Sequence, residues 1–483
     1  MNRTTSFLVI AAALGLVALV VKLPGPSATV APDPKVEPIA VKPPQPVKEA
    51  PLQLGSGLTP GSLTLSGKLS HPYVTPGTSD VFLSLDVTGV DVPGARRAPV
   101  NLSVVIDRSG SMAGEKIAHA RQAALALVDQ LDENDRLAVV HYGNDVVVFP
   151  GAFVTLDNKR RLKNFISRIR DEGGTNIGEG LAAGKAQLDR GRTDFKVNRL
   201  ILLSDGQPTV GITSAAGLTK LAQRFHADGT TVTSIGVGLD FNEDLMQRMA
   251  EVGGGSYAYL ENSTAIASIF ARDLQQAGAS VARDVTLSLT LPPGVRFGEV
   301  LGRPATSSGS TVLIPLPDFS ARQVEKLVVR VSVQAPGIAN QALDVADLKL
   351  NYRDVLAEQP ADASLKLAAM VTADSTLAQS RRDKDAVVAA TRAQSAVNYK
   401  RAAGFLEQGD GRRATAELQK NEDLFDQVAP FAGAALDSDR AQNKQFFGVT
   451  TAPAAAEPSA RSAGTKAMKV QSFKSSGYGE SVY

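Results

Sequence analysis

A run of oxygen-bearing side chains directly after a short apolar strand is the first place where this sequence could do chemistry. The predicted strand is Asn101–Ile106, and Asp107, Ser109 and Ser111 follow it in the pattern D-x-S-x-S. Side chains at alternate positions converge on one point if the loop curls, and Gly110 permits that curl. Carboxylate and hydroxyl oxygens are the ligands that hard cations such as Mg²⁺ take in proteins. The run therefore predicts one part of a metal site.

Two later segments place the same kind of side chain at comparable points. Thr175 follows a pair of glycines and precedes a predicted helix, and Asp205 follows a second buried strand, Leu200–Leu203. In an open α/β sheet, sites form outside the carboxyl ends of the strands, so we expect these residues to lie near Asp107. The alternative interpretation is that the serines and Thr175 only cap helices. Capping would not explain why two strands end in aspartate.

Composition limits the chemistry further. The chain has 483 residues with no cysteine and only 4 histidines, so any metal must be held by oxygen ligands and should be a hard ion. The formal net charge of +2 argues against a nucleic-acid-binding protein. Neither a phosphate-binding G-x-x-x-x-G-K-[ST] loop nor a G-x-S-x-G nucleophile elbow occurs. We interpret His119 and His141 as structural rather than catalytic, and we expect no enzyme activity.

The ordered set of oxygen ligands resembles the metal-ion-dependent adhesion site of the von Willebrand factor type A (VWA) domain. The matching positions are Asp107, Ser109, Ser111, Thr175 and Asp205. The resemblance implies a Rossmann-like domain that binds Mg²⁺ or Mn²⁺. It implies that the three hydroxyls are direct or near-direct ligands and that the two aspartates act directly or through water. The segments 236–238 and 253–255 add a likeness to bacterial membrane-associated members and, more distantly, to inter-alpha-trypsin inhibitor heavy chains.

An ion held mainly by neutral hydroxyls stays strongly electrophilic and keeps water where the protein offers no ligand. A carboxylate of a partner protein can replace such a water, so the expected partner is a protein that offers an acidic side chain. Arg108, inside the motif, is predicted to point outward into solvent because side chains alternate along a strand.

The elements around these residues predict the fold class. Strands and helices alternate over residues 99–278, which predicts a parallel sheet covered by helices on both faces. With the resemblance, this pattern implies an α/β Rossmann-like VWA domain, whose last predicted helix is Thr264–Gln276. Strand patterns over 55–98 and 279–375 predict an antiparallel β-sandwich into which the α/β domain is inserted, or separate β pieces that flank it. Residues 380–430 predict a helical hairpin, and 431–483 a disordered tail.

The N-terminal segment predicts membrane targeting. Residues 1–22 contain Arg3 followed by the apolar run Phe7–Val21, which is typical of a signal-anchor or a cleaved signal peptide. Residues 23–54 form a proline-rich linker. We expect a single-pass protein of the cell membrane whose bulk is extracytoplasmic, either periplasmic or at the cell surface. The alternative is secretion after signal cleavage.

These predictions favour an extracytoplasmic protein-binding module that uses a Mg²⁺ or Mn²⁺ bridge. Two alternatives from other classes stay open: a metal-assisted hydrolase that uses the same ion, and a structural protein of envelope assembly.

Overall fold

The computed structural model describes residues 61–92, 98–237, 242–260, 279–451 and 457–476. The predicted membrane segment 1–22, the linker 23–54 and the predicted helix Thr264–Gln276 lie outside the described residues. Within the described part of the chain, none of the helices is long and apolar enough to cross a membrane.

The first described strands belong to an antiparallel sheet. They are β1 (Leu63–Leu69), β2 (Tyr73–Val74) and β3 (Gly77–Gly89). Residues Val81 to Val87 of β3 alternate between buried and half-buried, because one face of the strand packs in the sandwich core and the other is only partly covered. This alternation is what the sequence pattern predicts.

An α/β domain follows. Its strands are β4 (Val100–Asp107), β5 (Arg136–Tyr142), β6 (Val146–Phe153), β7 (Val197–Ser204), β8 (Thr231–Val237) and β9 (Gly254–Leu260). Its described helices are α1 (Glu115–Gln130), α2 (Leu156–Ser167), α3 (Ile177–Asp189), α4 (Ala215–Ala227) and α5 (Glu243–Val252). The sheet order is β6-β5-β4-β7-β8-β9, and only β6 runs antiparallel to its neighbour. Every residue of β4 and β7 is buried because helices cover both faces of the sheet.

The chain then returns to antiparallel structure. The strands are β10 (Ser280–Thr290), β11 (Val295–Val300), β12 (Thr306–Ser308), β13 (Thr311–Pro315), β14 (Phe319–Ser320), β15 (Val324–Ala335), β16 (Ala342–Asp354) and β17 (Gln359–Val371). One sheet has the order β1-β3-β15-β11, and the other has the order β12-β13-β10-β16-β17-β2, with β14 paired to β10. The two sheets share one hydrophobic core.

The pairing of β3 with β15 and of β2 with β17 decides between the two predicted arrangements. Strands that precede the α/β domain complete sheets built from strands that follow it. The α/β domain is therefore inserted in the sandwich.

Helices make up the described C-terminal part of the chain. They are α6 (Ser375–Ser380), α7 (Lys384–Glu407), α8 (Gly411–Ala432), α9 (Asp437–Thr451) and α10 (Pro458–Ser475). Helices α7 and α8 form the predicted hairpin. The prediction of a disordered tail over 431–483 is wrong for α9 and α10. Phe446 of α9 and Met468 of α10 are buried against Tyr399, Leu406 and Leu418 of the hairpin, and this tertiary packing stabilises helices whose own sequence is mostly small and polar.

Candidate functional site

Asp107 is the last residue of β4 and is fully buried at the carboxyl end of the sheet. Its Oδ1 accepts a hydrogen bond from the backbone N–H of Ser109 at 2.8 Å. Its Oδ2 accepts one from Ser204 Oγ at 2.6 Å and one from Tyr142 Oη at 3.2 Å. These donors come from β5, β7 and the loop after β4, so the neighbouring strand ends hold the carboxylate in one orientation.

Ser109 and Ser111 lie on the loop that leaves β4, with their hydroxyl oxygens 3.1 Å apart. The loop makes a short 3₁₀ turn over Gly110–Met112, and Ser109 gives that turn no side-chain capping bond. Helix α1 begins after Gly114, again without a side-chain cap. The interpretation of the two serines as helix caps is therefore wrong.

Thr175 lies on a loop joined to this first one by the backbone. The N–H of Gly110 donates to the carbonyl of Gly173 at 3.0 Å, and the N–H of Thr209 donates to the carbonyl of Thr175 at 3.0 Å. Gly173 has φ +80°, which favours glycine at this turn. The cap of α3 is Asn176, whose side chain accepts from the helix backbone. Thr175 is buried one residue before that cap, so capping does not account for it either.

Asp205 follows β7 directly and is 2% exposed. Its Oδ2 accepts a hydrogen bond from Lys116 Nζ at 3.3 Å. Its Oδ1 is buried, and among the described residues no donor reaches it. A buried carboxylate oxygen without a partner is costly, because burial removes the water that would solvate it.

Arg108 does not point into solvent. Its side chain is 6% exposed and forms ion pairs with Asp145 and Glu172, both largely exposed. The prediction is wrong because the chain leaves the strand at Asp107, so strand alternation no longer applies. Carboxylates on two other loops instead hold the guanidinium at the carboxyl edge of the parallel sheet, which we call the rim.

The residues 101–272 match the family model described as the von Willebrand factor type A domain. The chain contains a VWA domain. Over 214 residues it is 29% identical to "Uncharacterized protein YfbK" of Escherichia coli (strain K12). This match covers 44% of this chain and 37% of that protein. Over 164 residues it is 27% identical to inter-alpha-trypsin inhibitor heavy chain H4 of Bos taurus, covering 32% of this chain and 18% of that one. The chain thus spans less than half the length of these curated relatives.

A solved structure extends the likeness in fold beyond the VWA domain. The "von Willebrand factor type A from Catenulispora acidiphila" superposes with a TM-score of 0.63 at 19% sequence identity. The match covers 84% of this chain and 96% of that chain. At this identity the likeness is one of fold.

The electrostatics of the VWA rim suit a divalent cation. Burial raises the pKa of Asp107, the neighbouring charge of Asp205 raises it further, and hydrogen bonds from Ser109 and Ser204 oppose the shift. The two buried carboxylates interact with each other, one of them has an unpartnered oxygen, and the serine hydroxyls lie on the loop that Asp107 bonds. Among the described residues, His, Cys, Asp and Glu side chains form no group of three that could hold a metal. The donor set at the rim is instead a mixture of carboxylates and hydroxyls, which fits a hard ion.

His141 is poorly suited to act as a base at this rim. The His141 ring lies 5.3 Å from the Phe165 ring, centroid to centroid. Burial, with the nearby charge of Arg108, lowers the pKa of His141 to about 4. A group with that pKa is a weak proton acceptor near neutral pH.

Sequence reasoning missed three residues at this rim: Tyr142, Ser204 and Lys116. Ser204 immediately precedes Asp205 at the end of a buried strand, and Tyr142 ends β5. Their positions at strand ends beside Asp107 are the signal that could have identified them. Lys116 lies on the first turn of α1, where a lysine is ordinarily read as a solvated residue.

Proposed function

We propose that this protein is a metal-dependent protein-binding module, in which Asp107, Ser109, Ser111, Thr175 and Asp205 hold Mg²⁺ or Mn²⁺. VWA domains typically mediate protein–protein interaction. The bound ion would supply a coordination position that a carboxylate of a partner protein can fill. The observation that carries the proposal is the buried Asp205 Oδ1, which meets no donor in the described structure while it lies at the rim with Asp107.

The chain's own residues would set up such a site before any ion arrives. Ser204 and Tyr142 orient Asp107, and the Gly110–Gly173 hydrogen bond ties the serine loop to the threonine loop. A site whose ligands are already held in place binds with a smaller entropic cost.

The location of the module belongs to the same proposal. The apolar run Phe7–Val21, with Arg3 before it, would place the N-terminus inside and the body outside the membrane. The proline-rich stretch 23–54 would then hold the VWA domain away from the bilayer. Secretion after signal cleavage would give the same extracytoplasmic exposure.

The test is a calorimetric titration of the full chain with Mg²⁺. We expect the wild type to bind one ion and Asp107→Ala to bind none, because the substitution removes a buried ligand at the centre of the donor set. Asp194→Ala is the matched control, since Asp194 precedes β7 and so lies toward the opposite edge of the parallel sheet.

A second variant separates loss of the site from loss of the fold. Ser109→Ala combined with Ser111→Ala removes two hydroxyls and no charge, and circular dichroism should show an intact fold. Unchanged Mg²⁺ binding by both variants would contradict the assignment of these ligands. Pull-down from the native envelope, with Mg²⁺ or with EDTA, would then identify the protein partner.

A further inference from the structure

Lys116 is the cation that the structure places against the proposed metal ligands. Its Nζ donates to Asp205 Oδ2 at 3.3 Å and to the backbone carbonyl of Ser111 at 3.1 Å. The Lys116 side chain is 27% exposed, whereas that of Asp205 is 3% exposed. The lysine thus reaches from the surface to a carboxylate that water scarcely contacts.

We propose that Lys116 is the internal counter-ion of the cation site and competes with the metal for Asp205. The inference rests on the proposed function, because it concerns the same ligands. An ammonium ion satisfies one oxygen of Asp205 and offsets its charge, but it leaves Oδ1 without a donor. The lysine therefore stabilises the metal-free rim only in part, and Asp205 retains capacity for a second positive partner.

The placement of Lys116 on α1 makes such an exchange mechanically simple. The residue lies on the first turn of the helix, and its long side chain is partly in water. Lysine has a flexible four-carbon stem, so the ammonium can leave Asp205 for solvent without movement of the backbone. Arg108 is different, because its guanidinium is almost fully buried and is fixed by Asp145 and Glu172. Lys116 is thus the more readily displaced of these two cations of the rim.

A consequence is that the affinity of the site for metal is lower than its oxygen ligands alone would give. A metal must displace the ammonium from Asp205 and then share the rim with it. Repulsion between a unit charge and a doubly charged ion about 6 Å apart weakens binding by about tenfold even under water-like screening. Removal of the lysine charge should recover that factor.

The first experiment measures Mg²⁺ binding by calorimetry on the full chain. Lys116→Met keeps the apolar stem and removes the charge, and we expect it to lower the Kd for Mg²⁺ by about tenfold. Lys116→Arg keeps the charge and should leave affinity within about threefold of wild type. Lys163→Met is the matched control: Lys163 pairs with Asp129 on the surface between α2 and α1, so its loss should leave the Kd unchanged.

The second experiment needs no metal. In EDTA, Lys116→Met leaves the Asp205 carboxylate without its counter-ion, so we expect its melting temperature to fall by about 3–6 °C. Asp205→Asn should remove most of that penalty, so that the double variant melts close to Asp205→Asn alone. Such non-additivity would show that the two side chains interact directly.

The outcomes separate this inference from the proposed function. A Kd of Lys116→Met equal to that of wild type would overturn the competition between Lys116 and metal. Additive shifts of the melting temperature in EDTA would overturn the pairing itself. If no chain binds Mg²⁺, the proposed function and the competition both fail, while the EDTA measurements still decide whether Lys116 is the counter-ion of Asp205.

Discussion

Arg303 and Glu325 form a buried ion pair in the sandwich, and Lys116 and Asp205 form another at the carboxyl edge of the VWA sheet. In the sandwich pair both side chains are at most 4% exposed, and Gln323 donates to the second carboxylate oxygen of Glu325 at 3.1 Å. At the VWA rim one oxygen of the carboxylate has no donor among the described residues, and the lysine is partly in water. Both carboxylate oxygens of Glu325 therefore have donors, whereas Asp205 has one on Oδ2 alone.

The difference shows how burial of charge can separate a structural role from a binding role. A buried carboxylate whose two oxygens both have donors contributes to one packed arrangement. A buried charge that is only half satisfied lowers stability and is retained where it does something else. The contrast between the two carboxylates supports the proposal that the rim binds a cation.

The largest expected effect comes from breaking the sandwich pair. Glu325→Gln leaves the buried guanidinium of Arg303 without a counter-charge, which should lower the free energy of unfolding by about 3–5 kcal/mol. Urea denaturation in EDTA measures it. The control is Glu299→Gln, which breaks a half-exposed pair with Arg330 and should lower the free energy by less than about 1 kcal/mol. Equal effects at the two sites would remove the distinction between the regions.

A second effect concerns the pH response of the VWA domain. The pKa of His141 is lowered to about 4 in the folded protein from 6.5. Between these values the unfolded chain binds a proton at His141 that the folded chain does not. The contribution of neutral His141 to the free energy of unfolding is therefore fully present above pH 6.5 and is lost as the pH falls to 4. The loss should be on the order of 3 kcal/mol.

His141→Phe keeps an aromatic ring against Phe165 and cannot take up a proton. We expect the variant to gain on wild type, in free energy of unfolding, as the pH is lowered through this range. Comparison of variant with wild type at each pH cancels the responses of other groups, such as Glu243, whose pKa burial raises to about 7. A constant difference between the two chains across the range would contradict the burial of a neutral His141.

The smallest expected effect is at Asp205. Asp205→Asn removes the charge whose Oδ1 has no donor but also loses the bond from Lys116, so the free energy of unfolding in EDTA should change by no more than about 1 kcal/mol. The same urea measurement as for Glu325 gives the comparison. A loss as large as that of Glu325→Gln would show that the rim pair is structural after all.

The positions of Asp107 and Asp205 at strand ends are predictable because their sequence signals are local. Asp107 and Asp205 come at the ends of short apolar runs that are typical of buried strands, and parallel strands bring their carboxyl ends to one edge. The three-dimensional convergence of these residues therefore follows from spacing and topology. Whether they hold a metal is a separate question that spacing alone does not answer.

Features that depend on distant partners escaped prediction. The burial of Arg108 depends on ion pairs with Asp145 and Glu172, and the alternation of side chains along a strand gives no information about these distant partners. The order of α9 and α10 requires apolar contacts with α7 and α8, because composition alone gives these segments few apolar residues. Lys116 was missed for the same reason, since its partner Asp205 lies 89 residues further along the chain.

The insertion of the VWA domain also sets an order of events during synthesis. Strand β3 pairs with β15, and Lys326 and Asp86 across that pair are 240 residues apart. The ribosome must therefore deliver the whole VWA domain before the sheet that contains β3 can close. Until then the apolar face of β3 and its hydrogen-bonding edge are available to other chains, which is a hazard for aggregation. Folding of the intervening α/β unit brings its two ends closer than they are in an unfolded chain, which lowers the entropic cost of pairing β3 with β15.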